Sequence, residues 1–190
     1  MLLLVGLGNP GSDYTNTRHN IGFKIIDAIN EHFKLSKQKP KFKGLLTTGN
    51  IEEKKIYAIK PLTFMNNSGT AIKELIDYFK IDAKDVIVFH DDMDIDFGKI
   101  KAKFGGSSAG HNGINSIDKF IGKDYSRVRV GIGHPKQKKK VNNHVLEDFK
   151  EDEEEKIKEI TENIVRQIPT LIDKKIDLFS SKVNQNLNGI

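Results

Sequence analysis

Two polar side chains follow the first segment of the chain, and both are of types that take part in proton transfer or hydrogen bonding. Met1 to Gly11 reads MLLLVGLGNPG, an uncharged apolar run that ends in a turn containing Asn9, and His19 follows within a polar stretch. Such a run is typical of a buried central strand, and open α/β sheets bind ligands at the carboxyl ends of these strands. Imidazole exchanges protons near neutral pH, and an amide donates hydrogen bonds without ionising. Asn9 and His19 are therefore the first candidates for chemistry.

Further polar residues stand at the boundaries of other predicted elements. They are Asn66 before a helix, Asp91 after a short apolar strand, and His111 with Asn112 in a glycine-rich stretch. A carboxylate beside a histidine can fix its tautomer and stabilise its cation, so Asp91 is a candidate partner of His19. With amide donors nearby, this set suits the attack of water on an acyl group without a nucleophilic side chain or a metal. Asn66 also has a simpler interpretation, as the N-cap of the helix that follows.

The turn after the first strand also matches a nucleotide-binding pattern. Gly6 to Gly11 fits G-x-G-x-x-G, in which the third glycine opens a helix that receives pyrophosphate. Here Pro10 and a polar stretch intervene before helical periodicity begins, and no second strand ending in an acidic residue follows. The sequence therefore disfavours a nucleotide site.

A serine nucleophile is a second alternative. Gly106 to Gly110 matches G-x-S-x-G between a predicted strand and a helix, with Ser108 as the nucleophile. Later carboxylates and His134 or His144 would supply the rest of a triad. The surrounding glycines, however, indicate a long flexible cradle for backbone contacts instead of one sharp turn. A serine esterase that uses Ser108 is left as an alternative.

An acidic stretch raises the question of a metal site. Asp92 to Asp96 resembles the start of a calcium loop, but Gly98 arrives one position late and Lys103 stands where the bidentate Glu belongs. Calcium is therefore disfavoured. A magnesium site formed by Asp91, Asp92 and Asp94 is left open.

Apolar periodicity predicts an alternation of strands and helices. Ile21, Ile25, Ile29 and Phe33 recur every four residues and predict a helix. The strands that we predict after the first are Leu45–Ile51, Lys55–Lys60, Val86–Phe89, Lys99–Phe104 and Arg127–Ile132. The other helices are predicted up to Phe79, through Phe120, and over Glu151–Leu178 with a break at Pro169. This pattern predicts an α/β fold.

Length and composition limit the class of protein. The 190 residues suit one domain over 1–190, with a tail at about 180–190 that has little to bury and frays. The absence of cysteine excludes disulfides and thiolate metal sites. The opening apolar run is too short for a signal peptide or a membrane span, so we expect a soluble cytoplasmic protein. A net charge of +5 permits an anionic partner, although the basic loop Lys136–Lys140 can also be a solvated loop.

Six blocks, in order, carry a resemblance to a known family. They are G-L-G-N-P-G at Gly6–Gly11, Y-x-x-T-R-H-N at Tyr14–Asn20, T-F-M-N-x-S-G at Thr63–Gly69, H-D-x-x-D at His90–Asp94, G-H-N-G at Gly110–Gly113, and R-x-R-x-G-I-G-H-P at Arg127–Pro135. With them the chain closely resembles the bacterial peptidyl-tRNA hydrolases over nearly its whole length. The resemblance implies a single α/β domain, with a twisted, mostly parallel mixed sheet flanked by helices on both faces. It also implies a monomer without cofactor or metal that cleaves the ester between a nascent peptide and the terminal ribose of tRNA, which frees the tRNA for translation.

The resemblance also implies roles for individual residues. His19 matches the catalytic base and Asp91 the carboxylate that orients it. The amides that hold the peptide and the reacting centre correspond to Asn9, Asn66 and Asn112; Tyr14, Met65 and His111 correspond to substrate-binding positions; and Lys103, Arg129 and Lys138 correspond to a basic patch for tRNA. Two positions depart from the family pattern, Ala109 for a glycine and Asn115 for a basic residue. A non-catalytic RNA-binding module on the same scaffold is the rival interpretation.

Overall fold

A computed structural model describes residues 1–135 and 141–188, and a twisted seven-stranded sheet forms its centre. The strands are β1 (Leu2–Gly6), β2 (Lys39–Lys41), β3 (Gly44–Ile51), β4 (Lys54–Pro61), β5 (Val86–Asp92), β6 (Ile100–Phe104) and β7 (Ser126–Gly131). Their order is β2-β3-β4-β1-β5-β7-β6. The four central strands β4, β1, β5 and β7 are parallel, and the outer strands pair antiparallel. The carboxyl ends of β1 and β5 therefore lie side by side at one edge of the sheet.

Helices cover both faces of this sheet. They are α1 (Ile21–His32), α2 (Ser68–Phe79), α3 (Asn112–Ile121), α4 (Val141–His144), α5 (Glu151–Ile172) and α6 (Ile176–Asn188). Side chains alternate along a strand, so Leu2 and Leu4 of β1 pack with α1, α5 and α6, whereas Leu3 and Val5 pack with α2 and α3. The predicted α/β fold, with helices on both faces of a mixed sheet, is confirmed.

A close approach between α1 and β1 places the turn that carries His19. A Cβ on Gly6 would lie 2.2 Å from the carbonyl oxygen of Gly22, and a Cβ on Gly22 would lie 2.3 Å from the backbone nitrogen of Leu7. Two glycines therefore allow the first turn of α1 to rest directly on the end of β1. Two 3₁₀ turns, at Ser12–Tyr14 and Arg18–Asn20, separate β1 from α1. Because of these turns α1 begins at Ile21 and not at Gly11, the third glycine, where the dinucleotide pattern requires the helix to open.

Three predictions about elements are wrong. Pro169 does not break the long helix, because α5 continues to Ile172, and the chain turns instead at Lys174, which has a φ of 62°. The segment that we expected to have little to bury forms α6, in which Phe179 and Val183 are fully buried. The strand that we predicted to follow the first, Leu45–Ile51, is preceded by β2, a short exposed edge strand of lysine and proline that carries no apolar alternation.

A search of the described helices finds none that is long and apolar enough to cross a membrane.

Candidate active site

A cavity of about 410 Å³ opens at the carboxyl ends of β1 and β5, beside the N-terminus of α3. The polar candidates from the sequence, which come from five separate segments, all line it. They are Asn9, His19, Asn66, Asp91, His111 and Asn112, together with Met65. Tyr14, which lies in the turn at Ser12–Tyr14, is not among the lining residues.

His19 and Asp91 form a buried pair at the base of this cavity. The Nδ1 atom of His19 lies 2.8 Å from Oδ1 and 3.0 Å from Oδ2 of Asp91. A carboxylate only accepts hydrogen bonds, so Nδ1 of His19 carries a proton and donates it to Asp91. In a neutral ring the other nitrogen, Nε2, then has a free lone pair. His19 lines the cavity, so this lone pair is available to a substrate or to water.

His111 binds the same carboxylate from the other side. Its Nδ1 accepts the backbone N–H groups of Gly113 and Ile114, at 3.1 and 3.3 Å, and so caps α3. Because Nδ1 is an acceptor, the proton of a neutral His111 is on Nε2, which lies 3.0 Å from Oδ1 of Asp91. Asp91 therefore accepts from two imidazoles, and the helix cap fixes the tautomer of one of them.

The pKa of Asp91 is strongly affected by these partners. Burial raises this pKa, but the charge and hydrogen bonds of His19 and His111 outweigh the effect and hold the pKa well below its usual range. Asp91 is thus ionised over the whole neutral range.

Asn9 is fixed in both its side chain and its backbone. Its Oδ1 accepts the backbone N–H of Met65 at 2.8 Å, which leaves the Nδ2 group of Asn9 to donate into the cavity. The side chain of Asn20, almost fully buried, accepts the N–H of Asn9 and donates to its carbonyl oxygen, both at 2.9 Å. Sequence reasoning missed Asn20 as a functional residue, although its place directly after His19 is a usable signal.

Residues 144–148, which include another wall of the cavity, are hydrogen-bonded to the turn that carries His19. The backbone N–H of His19 donates to the carbonyl oxygen of Val145 at 2.8 Å. The buried guanidinium of Arg18 donates to carbonyl oxygens of residues 144, 147 and 148 and forms an ion pair with Glu153 at 2.7 Å. Val145 and the exposed Leu146 line the cavity from this wall. The exposed side chain of Phe64 lines it as well. These apolar residues were missed, since an exposed apolar side chain carries no distinctive pattern in sequence.

A third imidazole lies behind the site. The ring of His90 packs edge-on against that of His111, with centroids 4.8 Å apart, and its Nδ1 donates to the carbonyl oxygen of Asp91. Burial, reinforced by the neighbouring His111, lowers the pKa of His90 well below its usual value. His90 is therefore a neutral packing residue and not part of the proton-exchanging pair.

The structure does not support the serine alternative. Ser108 lines the cavity, but within the described residues its hydroxyl has a single hydrogen-bond partner, the backbone N–H of Gly110 at 3.4 Å. A nucleophilic serine needs a histidine within hydrogen-bond reach.

The magnesium alternative is also not supported. Asp92 accepts from Nε of Arg129 at 2.7 Å, and both oxygens of Asp91 accept from imidazoles. Among the described residues, the set of histidine and acidic side chains close enough to share a metal ion is His19, Asp91 and His111, with ligand atoms within 4.8 Å. The ligand atoms of these three side chains are already joined by hydrogen bonds. A metal ion between them would displace the protons that His19 and His111 donate to Asp91.

A basic face lies beside the cavity on β6 and β7. Lys101 and Lys103 of β6 pair with Arg129 and Arg127 of β7, which places all four side chains on one face of the sheet. Arg127 is buried and bonds Asp118, whereas the other three reach the surface. Burial, together with the nearby Arg129 and Arg127, lowers the pKa of Lys103. Lys101 was not among the cations that the sequence singled out, and Lys138 lies outside the described residues.

Comparisons with known proteins identify the family of this chain. A family model described as "Peptidyl-tRNA hydrolase" matches residues 3–189. The chain is similar to a peptidyl-tRNA hydrolase of Pelagibacter ubique, at 73% identity over 97% of this chain and 99% of that one, and to one of Ehrlichia canis at 46%, over 97% and 95%. Its structure is similar to the crystal structure of peptidyl-tRNA hydrolase from Acinetobacter baumannii, with a TM-score of 0.90 at 34% identity, covering 97% of this chain and 94% of that one. With the fold and nearly the full sequence in common, the chain belongs to the peptidyl-tRNA hydrolase family.

Proposed function

We propose that this chain hydrolyses the ester bond of peptidyl-tRNA with water that is activated by His19. Membership of the family supports the substrate. The observation that carries the mechanism is the hydrogen bond between Nδ1 of His19 and Asp91, which leaves Nε2 of His19 free at the cavity. General base catalysis needs such a nitrogen, with a partner that stabilises the cation formed.

The reaction balances without a covalent intermediate. Water attacks the carbonyl carbon of the ester while its proton passes to Nε2 of His19. The tetrahedral intermediate then breaks the bond to the ribose oxygen, and the imidazolium of His19 returns the proton to that oxygen. Asp91 stays ionised throughout and stabilises the imidazolium. The products are a tRNA with its terminal hydroxyl restored and a peptide with a free carboxylic acid, which ionises to the carboxylate by releasing the second proton of the water to solvent.

The developing oxyanion needs a hydrogen-bond donor. The backbone N–H groups of Ala109, Gly110 and His111 already donate within their own loop, to Ser107 and Ser108. Asn112, at the first turn of α3 and at the rim of the cavity, is the better candidate through its side-chain amide. The positive end of the helix dipole adds to the stabilisation.

The remaining amides hold the peptide. The Nδ2 group of Asn9 donates to a carbonyl oxygen of the substrate, and Asn66 does the same from the opposite rim. Met65 supports the apolar part of the esterified residue, and His111 acts here through Asp91. Tyr14, which the resemblance places among the substrate-binding residues, takes that role only if the turn at Ser12–Tyr14 moves on binding.

The basic face of β6 and β7 attracts the tRNA. Lys103 and Arg129 contact phosphates, and Lys101, on the same face, joins them. Lys138 is retained as a proposed contact from the resemblance alone. Phosphate contacts supply affinity and position, whereas the cavity selects the blocked aminoacyl ester.

The oligomeric state and the location are proposals of the same kind. We infer a monomer from the resemblance, which light scattering of the purified protein tests. We infer a cytoplasmic location because peptidyl-tRNA is produced by translation.

The release of N-acetyl amino acid from N-acetyl-aminoacyl-tRNA tests this function. We expect cleavage of the blocked substrate in EDTA, with unblocked aminoacyl-tRNA left intact, and we expect the Ser108→Ala variant to retain its activity. Binding of tRNA without cleavage would favour the RNA-binding module. Loss of activity in Ser108→Ala would favour the serine esterase.

A further inference from the structure

A second cavity, of about 420 Å³, lies beside the first and is equal to it in size. Asn9 lines both cavities, so the two adjoin at this residue. The second cavity is bounded by α1 on one side and by the adjoining ends of β3 and β4 on the other, and it includes Phe23, Asp27, Leu45, Lys60 and Leu62. Its size is within the range of sites for small ligands.

We propose that this cavity binds the residues of the peptide that precede the one esterified to tRNA. The proposal rests on the proposed function and extends it from the ester to the rest of the acyl group. A substrate held by Nδ2 of Asn9 in the first cavity continues along its chain past Asn9, where the second cavity begins.

The strand order gives the direction of the substrate. The sheet runs β3-β4-β1-β5-β7-β6, with the reacting pair above β1 and β5. The basic face that attracts tRNA lies on β7 and β6, on one side of this pair. The acyl group leaves the ester on the other side, towards β4 and β3, which is where the second cavity lies.

The chemistry of the cavity suits a peptide of variable sequence. Phe23, Leu45 and Leu62 supply an apolar lining, and Leu62 is 42% exposed at the rim. The one buried charge among the described lining residues, on Lys60, is balanced by Asp27 at 2.5 Å. The other lysine of the lining, Lys24, is paired with Glu154 at 3.1 Å, and asparagine and threonine side chains supply uncharged polar groups. A cavity with apolar and uncharged polar lining accepts many side chains, and a tRNA phosphate would have to compete with Asp27 and Glu154 for its two lysines.

Hydrolysis of two substrates by two matched variants tests the proposal. The substrates are N-acetyl-aminoacyl-tRNA and N-acetyl-tripeptidyl-tRNA, with the same tRNA and the same esterified residue. Leu62→Trp fills the rim of the second cavity, and Leu178→Trp is the control, because Leu178 is equally exposed, at 44%, on the distant helix α6. The readout is the ratio of kcat/KM for the longer substrate to that for the shorter one.

We expect this ratio to be about ten in the wild type and in Leu178→Trp, the gain of one good apolar contact, and close to one in Leu62→Trp. A ratio near one in the wild type would overturn the proposal. So would an unchanged ratio in Leu62→Trp, or an equal loss on both substrates, which would indicate contact with the tRNA. Failure to cleave either substrate by the wild type would instead contradict the proposed function.

Fluorescence gives a second, independent readout. The chain has no tryptophan, so each variant carries a single reporter. N-acetyl-tripeptide, the reaction product, should shift the emission of Leu62→Trp and leave that of Leu178→Trp unchanged. Absence of a shift at saturating product would count against the assigned cavity.

Discussion

The side chain of Asn20 holds both backbone polar groups of Asn9, by two hydrogen bonds of 2.9 Å that run in opposite directions. Asn9 belongs to the turn after β1, whereas Asn20 immediately follows His19, so the pair joins the residue that we propose to bind the peptide to the residue that we propose to activate water. The side-chain oxygen of Asn9 is fixed in turn, because it accepts the backbone N–H of Met65. The position of Asn9 relative to His19 is therefore set by the fold before substrate binds.

We predict that Asn20→Asp weakens substrate binding. The substitution preserves shape but replaces a donor with an oxygen that faces the carbonyl oxygen of Asn9. We expect KM for N-acetyl-aminoacyl-tRNA to rise about tenfold, the cost of one buried hydrogen bond. Asn50→Asp, at an exposed position of β3, is the control for the added charge. An unchanged KM would show that Asn20 does not position Asn9.

Two variants separate the two roles of His111. Asn is a good N-cap but too short to reach Asp91, so His111→Asn keeps the cap of α3 and loses the bond to the carboxylate. We expect its kcat to fall and its Tm to stay near the wild-type value. His111→Ala should lower both kcat and Tm, because it also loses the N-cap, which contributes about 1 kcal/mol to the free energy of unfolding. Equal kcat values in His111→Asn and the wild type would mean that Asp91 needs only His19.

Salt dependence measures the contribution of the basic face. We expect Lys103→Gln to lower the slope of log KM against log salt by about 0.9, the value for one lost contact with duplex phosphate, with little effect on kcat. Lys37→Gln, at an exposed position near the opposite edge of the sheet, is the matched control. A slope that is the same in both variants would remove Lys103 from the tRNA contacts.

The buried His90 makes stability depend on pH. Its pKa is lowered in the folded protein, so the unfolded chain binds a proton more readily, and this contribution to stability is present above about pH 6.5 and is lost as the pH falls. We expect the fall in Tm between about pH 8 and about pH 5 to be smaller in His90→Phe. His32→Phe, at an exposed position, should behave as the wild type. The same fall in both variants would show that His90 is not the group responsible.

The sequence predicted most of the sheet and of the cavity, for physical reasons. The buried strands are near-continuous apolar runs, and polar residues at their carboxyl ends meet because parallel strands end at one edge. The sharing of Asp91 by two imidazoles could not be predicted, because the 105–111 loop that brings His111 back has no periodic pattern. The hydrogen bond from the backbone N–H of His19 to the carbonyl oxygen of Val145 joins residues that are far apart in the sequence. Local sequence patterns do not encode such a contact.

Helix ends were predicted less well, since local propensity is overridden by packing. Pro169 lies inside α5, where burial of Ile168 and Leu171 on the core side offsets the lost hydrogen bond. Among the described side chains of the last helix, those of Phe179 and Val183 are fully buried, too few for periodicity to stand out in a polar segment.

Asp91 provides a comparison for the role of His19. Asp91→Asn retains the imidazole but loses the charge that stabilises its cation, so we expect a smaller loss of kcat than in His19→Ala. A larger loss in Asp91→Asn would indicate that the carboxylate itself, or a metal bound to it, activates the water.

The most direct test of the mechanism is the turnover of N-acetyl-aminoacyl-tRNA by His19→Ala in EDTA. We predict that kcat falls by about 10² to 10⁴, the usual contribution of a general base, while KM and Tm stay close to those of the wild type. Turnover at the wild-type rate would contradict the central claim that His19 activates the water.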